Sequence, residues 1–280
     1  MKNLLLAILL LAWGGAWTSP AAAPVPAPTL PIRLRVVTYN IHHGEGTDGR
    51  IDLERIAALL SGMQPDIVAL QEVDRNTTRS GRVDQFATLE RLTGMTGAFG
   101  KAMDFDGGSY GVAVLSRLPL LHATSRPLPG ASDREPRTDL TVDVEMRPGL
   151  PTLQFSSTHL DQGRDIASRL AQARFLNTVV APGDDQPAIL AGDLNCQPDS
   201  AVVGVLHQVW EDMFTAPETL GPQGVPRRRV DHVFARPASM WHTEDAQVVD
   251  DRIASDHRPV IVTLEWNRSG IRDYESGIRD

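Results

Sequence analysis

Cysteine is nearly absent from this chain of 280 residues, which has a single one at Cys196. One cysteine cannot form an intramolecular disulfide, so a small fold built on disulfides is excluded and stability must come from a hydrophobic core. No pattern of neighbouring residues that would activate a thiolate surrounds Cys196. We therefore expect a structural cysteine and no catalytic thiol.

Aromatic residues and positive charge are also scarce. Phe, Trp and Tyr make up 5% of the chain, and 27 Lys and Arg face 35 Asp and Glu, which gives a net charge of -8. Such an acidic chain is poorly suited to hold long polyanions, so nucleic acid is a possible but not a favoured partner. No exposed-looking aromatic hairpin is available to enter a lipid surface.

The one long apolar run lies near the N-terminus, at Leu4–Trp13, and is followed by small residues. This pattern predicts a secretory signal peptide over residues 1–23, too short to stay as a membrane span. Four prolines predict an extended tether over 24–31. One folded domain is predicted over 32–267, and the repeated Ser-Gly-Ile-Arg-Asp predicts a flexible tail over 268–280. We expect a secreted or periplasmic monomer without stable membrane insertion after removal of the signal peptide.

A buried strand that stops at an Asp-x-Asn pair organises the second half of the chain. Ala188–Ala191 is small and aliphatic, Gly192 lets the backbone turn, and Asp193 and Asn195 follow. Because side chains in a strand alternate with a period of two, both polar side chains point to the same side. Alone, such a pair is more typical of a turn or a helix cap.

Polar residues also stand at the ends of other predicted strands. Strands are predicted over 34–41, 66–70, 98–103, 111–116, 138–146, 152–158, 229–234 and 259–266, and helices over 52–61, 84–93 and 165–180. The polar residues at the ends of these strands are Asn40, Glu72, His159, Asp231, Asp256 and His257. The βα units at the beginning and the shorter strands in the middle predict one α/β domain.

Together these side chains form a set of hard oxygen donors with two histidines. Carboxylates and amides without thiolates suit Mg²⁺ or Mn²⁺, which bind few protein ligands and keep water for a phosphate. Imidazoles beside such an ion can move protons. The set therefore predicts metal-assisted hydrolysis of a phosphoester, with Mg²⁺ as the expected cofactor.

Six short motifs resemble those of the endonuclease/exonuclease/phosphatase superfamily and occur in the same order. They are Thr38-Tyr39-Asn40-Ile41, Gln71-Glu72, Ser157-Thr158-His159-Leu160, Gly192-Asp193-Leu194-Asn195, Val230-Asp231-His232-Val233-Phe234 and Ser255-Asp256-His257. The resemblance covers residues 33–266. It implies a four-layer αββα sandwich, in which two mixed β-sheets lie face to face, helices lie outside, and the site is at one end.

The resemblance implies divalent-metal-dependent hydrolysis, with Glu72 as the principal metal ligand, helped by Asn40 and Asp256. Tyr110 and Arg137 match patterns at the rim of the family's site and would contact the phosphate. An arginine can do so through two parallel hydrogen bonds.

The same resemblance implies the catalytic residues. His257, oriented by Asp231, would act as general base or stabilise charge. Asp193 and Asn195 would position the attacking water and the phosphate, and Asp193 is the alternative general base. His159 would bind phosphate and assist the leaving group, as in the branch that contains pancreatic-type DNases and sphingomyelinases.

The expected function is an exported phosphodiesterase or phosphatase, in which water attacks a small or lipid-head-group phosphoester in line. The alternative is a secreted endonuclease of the DNase type, since such enzymes keep His159 and can be acidic. A catalytically inactive phosphoester-binding module is the third candidate. It is disfavoured because no proton-handling residue is missing.

Some conspicuous residues receive no catalytic role from the sequence. His42 and His43 follow the first strand, and adjacent residues of an extended chain face opposite ways, so they are not expected to share a metal ion, although one could touch the substrate. Arg227–Arg229 is expected to be a solvated charge run. Trp241 and Trp266 are expected in the core.

Overall fold

The computed structural model describes residues 31–181, 183, 186–214 and 229–267. The predicted signal peptide, residues 24–30 of the predicted tether, the predicted tail, and Arg227 and Arg228 lie outside the described residues. In the part of the chain that is described, no helix combines the length and the apolar character needed to cross a membrane.

The strands of the described chain form two six-stranded mixed sheets. Their bounds are β1 (Ile32–Asn40), β2 (Ile67–Arg75), β3 (Thr96–Phe105), β4 (Gly108–Ser116), β5 (Leu120–Pro127), β6 (Thr138–Val144), β7 (Leu153–His159), β8 (Ala188–Asp193), β9 (Glu211–Asp212), β10 (Asp231–Arg236), β11 (Trp241–Val248) and β12 (Val260–Trp266). The first sheet has the order β11-β12-β1-β2-β4-β3, and the second has the order β5-β6-β7-β8-β10-β9. Each sheet contains one parallel pair, β1 with β2 and β7 with β8.

Four α-helices pack on the outside of the sheets in the described chain: α1 (Leu53–Met63), α2 (Gln85–Thr93), α3 (Ala167–Phe175) and α4 (Ala201–Leu206). The apolar faces of α1 and α2 pack with one face of the first sheet, and those of α3 and α4 pack with one face of the second sheet. A third cluster joins the two sheets, with Val36 and Val262 from the first and Phe155 and Ile189 from the second. The predicted four-layer αββα sandwich is therefore confirmed.

The central cluster contains Trp241 and Trp266, whose predicted place in the core is confirmed. Cys196 is buried in the cluster under α3 and α4. Burial raises the pKa of its thiol to about 11, so Cys196 is held as a neutral thiol, as expected of a structural cysteine.

The helix boundaries differ from the prediction where the caps are unusual. Asp52 caps α1 as predicted, and its side chain accepts a hydrogen bond of 2.8 Å from the backbone nitrogen of Arg55. The sequence predicts that this helix stops at Gly62, but it continues to Met63. It ends there because Gln64 adopts the left-handed conformation. The helix predicted over 165–180 is α3 followed by a π-helical turn, Leu176–Val180.

The sequence does not predict β5, β9 and β11. Each of them is an edge strand of its sheet, and β9 has only two residues. Most side chains of β5 and β11 are exposed or half-buried. An edge strand that buries little apolar surface has no clear hydrophobic period, so its sequence does not distinguish it from a loop.

Candidate active site

The polar residues singled out in the sequence meet at one end of the sandwich. In the first sheet, the parallel pairing of β1 with β2 places Asn40 opposite Gln71, next to Glu72. In the second sheet, Asp193 is opposite His159 of β7 and opposite Asp231 of β10. Because β8 lies between β7 and β10, Asp193 is the middle of a row of three polar side chains.

A local irregularity in β2 sets the position of Glu72. The pairing of β2 with β4 shifts register between Leu70 and Val73, and Glu72 has a positive φ of 59°. Such a bulge redirects a side chain away from the face of the sheet that regular alternation would give it. The Glu72 carboxylate accordingly accepts a hydrogen bond of 3.0 Å from Nδ2 of Asn40.

Asn40 links the two sheets at this end. Its Nδ2 also donates to Oδ2 of Asp193, at 3.2 Å, while its Oδ1 accepts from the backbone nitrogen of His42, at 3.0 Å. The hydrogen bond from His42 fixes which end of the amide faces the site. The oxygen that the predicted metal-ligand role of Asn40 requires is therefore already hydrogen-bonded, and the nitrogen faces Glu72 and Asp193.

Asp193 is almost completely buried, with 1% of its surface exposed. Its Oδ1 accepts a hydrogen bond of 2.8 Å from the backbone nitrogen of Asn195, and its Oδ2 lies 3.4 Å from Nε2 of His159 and 3.6 Å from Nε2 of His257. Burial and the charge of Asp231 raise the pKa of this carboxyl group. Asp193 is therefore a stronger base than an ordinary carboxylate.

His257 lies between two carboxylates. Its Nδ1 is 3.0 Å from Oδ2 of Asp231, and its backbone nitrogen donates to Oγ of Ser255, which in turn donates to the carbonyl oxygen of Asn40. Burial alone would lower the pKa of His257, but the charges of Asp231 and Asp193 outweigh it and the pKa is raised. The imidazole is therefore protonated at neutral pH, donates from Nδ1 to Asp231 and directs Nε2 toward Asp193, 3.6 Å away.

His159 is held in the opposite charge state. Nη1 of Arg137 lies 2.8 Å from its Nδ1, and since a guanidinium can only donate, Nδ1 accepts and the proton is on Nε2. Burial, followed by the charges of Arg137 and His257, lowers the pKa of His159 well below its usual value. Its neutral ring presents an N–H toward Oδ2 of Asp193, 3.4 Å away.

Arg137 and Tyr110 stand behind this imidazole. Arg137 is 4% exposed and contacts Glu135 at 2.9 Å and the hydroxyl of Tyr110 at 3.4 Å. The sequence predicts Arg137 at the rim as a phosphate contact, and in the structure its buried guanidinium contacts His159 and Glu135. Tyr110 is buried too, but it lines the cleft described next.

A cleft of about 300 Å³ opens beside this network. It is lined by His42, His43, Glu72, Arg79, Met103, Phe105, Tyr110, Glu135, Gln162 and Asp256. Glu72 and Asp256 thus offer carboxylate oxygens to one space, and this hard donor set fits Mg²⁺ or Mn²⁺. A second group of mutually close ligand atoms comes from Asp193, Asp231 and His257.

Arg79 is a residue of the cleft that the sequence does not predict. Its guanidinium binds both carboxylate oxygens of Asp74, at 2.7 and 2.8 Å, and lies 4.6 Å from the ring centre of Phe105 and 5.5 Å from that of Tyr110. Three arginines follow Glu72 closely in the sequence, at positions 75, 79 and 82. That concentration of positive charge in an acidic chain is the signal that could have identified it.

The prediction for His42 and His43 assumes an extended backbone after β1, and the structure contradicts that assumption. His42 and His43 have positive φ angles of 46° and 44° and form a 3-10 turn instead of an extended segment. Their ring centres are 4.5 Å apart. Both side chains therefore face the same cleft, although alternation along a strand would have separated them.

The expected solvated run of arginines is wrong for Arg229. This residue is 8% exposed, pairs with Asp212, and lies 5.0 Å from the ring centre of Phe214. It also donates to Nδ1 of His232, at 3.0 Å. Arg229 therefore supports the second sheet below the site and is not a surface charge.

Comparison with known proteins agrees with the fold and the motifs. The model of the Endonuclease/Exonuclease/phosphatase family matches residues 37–257. The uncharacterized protein YbhP of Escherichia coli (strain K12) is 25% identical over 259 residues, which covers 84% of this chain and 98% of YbhP.

Solved structures give the same result. An endonuclease/exonuclease/phosphatase from Beutenbergia cavernae DSM 12333 is 27% identical, with a TM-score of 0.71 over 84% of this chain and 72% of that chain. A mannosyl-6-phosphatase from Bacteroides thetaiotaomicron VPI-5482 is 20% identical, with a TM-score of 0.68 over 82% of this chain and 99% of that chain. The similarity to the mannosyl-6-phosphatase shows a shared fold and nothing more.

Proposed function

Because this chain belongs to the endonuclease/exonuclease/phosphatase family, we propose that it hydrolyses a phosphoester by in-line attack of water, with the help of a divalent cation. The observation that carries the proposal is the surrounding of Asp193. Its Oδ2 receives a hydrogen bond from Asn40 and lies within 3.6 Å of a ring nitrogen of both His159 and His257. A buried carboxylate with two imidazoles in different charge states suits proton transfer better than a structural role.

The cation would be held by Glu72 and Asp256, whose carboxylates line the same cleft. When bound, it supplies positive charge that neutralises the phosphate oxygens. Mg²⁺ is the proposed ion, and Mn²⁺ suits the same oxygen donors. Asn40 would contribute mainly by holding Glu72 and Asp193 in place through its amide nitrogen.

Asp193 is the proposed general base. His257 holds its proton because it faces the carboxylates of Asp231 and Asp193, so it is poorly suited to accept another one. The raised pKa of Asp193 brings its basicity closer to neutral pH, where proton transfer from water is most effective. The protonated His257 then stabilises the negative charge that develops nearby.

His159 is the proposed hydrogen-bond donor to the phosphate or to the leaving oxygen. Its neutral ring is oriented by Arg137, which occupies Nδ1 and leaves the proton on Nε2. Asn195 lies next to the same nitrogen and is anchored by its hydrogen bond to the carbonyl oxygen of Leu160. These groups would together align the phosphate opposite the water that Asp193 deprotonates.

The proposed substrate is a small or lipid-head-group phosphoester. The cleft volume of about 300 Å³ is at the lower end of the range of small-molecule sites, and three carboxylates line it. Such a cleft repels an extended polyanion more than a compact phosphoester. The mannosyl-6-phosphatase of similar fold acts on a small sugar phosphate by its name, which agrees with this size class. Export of the protein is part of the same proposal and is motivated by the N-terminal sequence.

A secreted nuclease is the second candidate, and the aromatic lining of the cleft favours it. Phe105 and Tyr110 lie next to the guanidinium of Arg79, and bases stack on aromatic and guanidinium groups. A nuclease would show activity on DNA that falls steeply with salt, because phosphate contacts release counterions.

The experiment that tests the proposal measures turnover, with and without Mg²⁺, on bis-nitrophenyl phosphate, nitrophenyl phosphate, hexose phosphates, inositol phosphates, sphingomyelin and plasmid DNA. The variants are Asp193→Asn and Glu72→Gln, with Glu54→Gln as the matched control, since Glu54 is an exposed glutamate on α1. We expect turnover on a small or lipid phosphoester, a loss of at least about 100-fold in the two site variants, and wild-type rates for the control. Wild-type rates in Asp193→Asn would contradict the proposal.

A further inference from the structure

We propose that His42, His43 and Glu72 form a second cation site, adjacent to the hard-oxygen site and sharing Glu72 with it, that takes a first-row transition-metal ion of the Zn²⁺ class. One ring nitrogen of each histidine and a carboxylate oxygen of Glu72 lie within 4.8 Å of one another. Metal bonds of about 2.0–2.2 Å bring ligand atoms to within roughly 4 Å of each other, and small side-chain rotations reach that spacing from here.

The two imidazoles converge because the backbone that carries them is left-handed and not extended. His42, His43 and Gly44 have positive φ angles of 46°, 44° and 81° in succession. Left-handed backbone is strained at non-glycine residues and concentrates at functional sites. Here it places both rings on the cleft side, next to the carboxylate that the bulge in β2 redirects.

The hydrogen bonds of the rings leave one free lone pair on each. Nδ1 of His42 lies 3.1 Å from the carbonyl oxygen of Glu45, and since a carbonyl only accepts, Nδ1 carries the proton and Nε2 has the lone pair. Nε2 of His43 lies 3.2 Å from the carboxylate of Glu45, so its Nδ1 has the lone pair. One residue, Glu45, thus sets the tautomers of both histidines.

This arrangement is the one that metal-ligating histidines adopt, with the non-ligating nitrogen hydrogen-bonded to a carboxylate or a backbone carbonyl. Nδ1 of His43 is buried and has no hydrogen-bond partner among the described residues, while His43 as a whole is 8% exposed. A buried nitrogen without a partner is costly unless a ligand occupies it. A metal ion would satisfy that nitrogen.

The charge around the three groups favours a cation. Asp256 and Glu135 line the same cleft, and Arg79, the one arginine or lysine among the lining residues, is neutralised by its two contacts with Asp74. Two imidazoles and a carboxylate select a transition ion over Mg²⁺, which prefers oxygen donors only.

Glu72 would then be shared between the two cation sites, so that a phosphate in the cleft would lie close to both. This last point rests on the proposed function, whereas the binding site does not.

The test uses Co²⁺ as a spectroscopic probe on the protein without a polyhistidine tag. Metal-stripped protein is titrated with CoCl₂ in millimolar Mg²⁺, which occupies the oxygen site, and bound cobalt is measured by visible absorption and equilibrium dialysis. The variants are His42→Asn and His43→Asn, because asparagine tolerates left-handed backbone. The control is His242→Asn, which changes an exposed histidine of β11. Thermal unfolding of each metal-free variant verifies that it is folded.

We expect about one equivalent of Co²⁺ retained against Mg²⁺, at least tenfold weaker binding in each site variant, and unchanged binding in the control. Displacement of Co²⁺ by Mg²⁺, or wild-type binding in both site variants, would overturn the proposal. So would variants that bind Co²⁺ normally but bind inorganic phosphate less well, since the histidines would then be phosphate ligands. Turnover of the wild-type protein with Mg²⁺ alone tests the proposed function independently.

Discussion

Asp193 and Asp231 face each other across the pair formed by β8 and β10, and the ring of His257 contacts both carboxylates. Two buried carboxylates at this spacing repel each other, and a protonated imidazole between them removes that repulsion. Two aspartates of the second sheet and a histidine from the segment before β12 of the first sheet therefore form a negative, negative and positive set, in which Asp193 also faces Asn40 and His159. This asymmetry between the two aspartates is the basis for giving them different roles.

Asp231→Asn is expected to reduce kcat by roughly 10² to 10⁴-fold with a smaller effect on KM, because it removes the carboxylate that orients His257 and keeps it charged. Since Asp231 raises the pKa of His257, the variant should lower that pKa and move the alkaline limb of the rate profile to lower pH. Rate profiles and an NMR titration of the His257 ring check both effects. An unshifted alkaline limb would argue against this role of His257.

Arg137→Gln is expected to raise the pKa of His159. Burial is the larger cause of the low pKa of this histidine, and the charge of Arg137, 2.8 Å away, is the next. Removing that charge should allow His159 to protonate closer to its usual range, and kcat should fall about tenfold because the tautomer is no longer fixed. The measurement is an NMR titration of His159, with Arg134→Gln, at an exposed position, as the control.

Asp139 predicts a pH dependence of stability away from the site. Burial raises its pKa from 3.8 to about 7, although Thr141 and Arg126 oppose the shift. A carboxyl group with a raised folded pKa contributes stability that is fully present below about pH 3.8 and is lost as pH rises through about 7. The asparagine of the Asp139→Asn variant cannot ionise, so the substitution should be more stabilising at pH 8 than at pH 5. The difference should be a few kcal/mol at most, since one unit of difference in pKa between the folded and unfolded states corresponds to about 1.4 kcal/mol.

Denaturant unfolding of both proteins at the two pH values measures this difference. Asp143→Asn is the comparison, because Asp143 lies on the same strand and is only half-buried. Equal effects of Asp139→Asn at pH 5 and pH 8 would show that Asp139 is charged throughout.

Gly192→Ala is expected to destabilise the protein by about 1–3 kcal/mol and to reduce activity further. A Cβ at position 192 would overlap the carbonyl oxygen of Thr158, so β8 would have to move away from β7 just before Asp193. Gly62→Ala is the control, since nothing lies within 4 Å of its Cβ and it is inside α1. We expect that control to be neutral or slightly stabilising. Thermal unfolding and kcat measured on the same preparations separate the two effects.

The sequence predicts the members of this site better than their surroundings. Asp193, Asn195 and His159 are found because each follows a short apolar strand, and parallel strands bring such ends together. The burial of Arg137 is not predicted, because no local pattern shows whether a guanidinium points outward or inward. Arg79 and Arg229 also contact aromatic residues that lie further away in the sequence, Phe105 and Phe214, and no local pattern connects these rings to the arginines.

His42 and His43 show a second limit of sequence-based prediction. Period-two alternation assumes that the backbone stays extended, and the left-handed turn after β1 breaks that assumption. The same holds for Glu72, whose bulge is invisible in a run of apolar residues. Both departures occur at the cleft, where local propensity and function conflict.

The strand β12 lies between β11 and β1 in the first sheet, although it is the last strand of the described chain and β1 is the first. During synthesis, β1 emerges from the ribosome long before the strand that covers its edge. Until Val260–Trp266 has been translated, that edge stays available for pairing with other chains, and His257, three residues before Val260, has no place to dock. Chains truncated before this strand should therefore be both inactive and prone to aggregate, because the candidate site is completed only when the last strand of the described chain is in place.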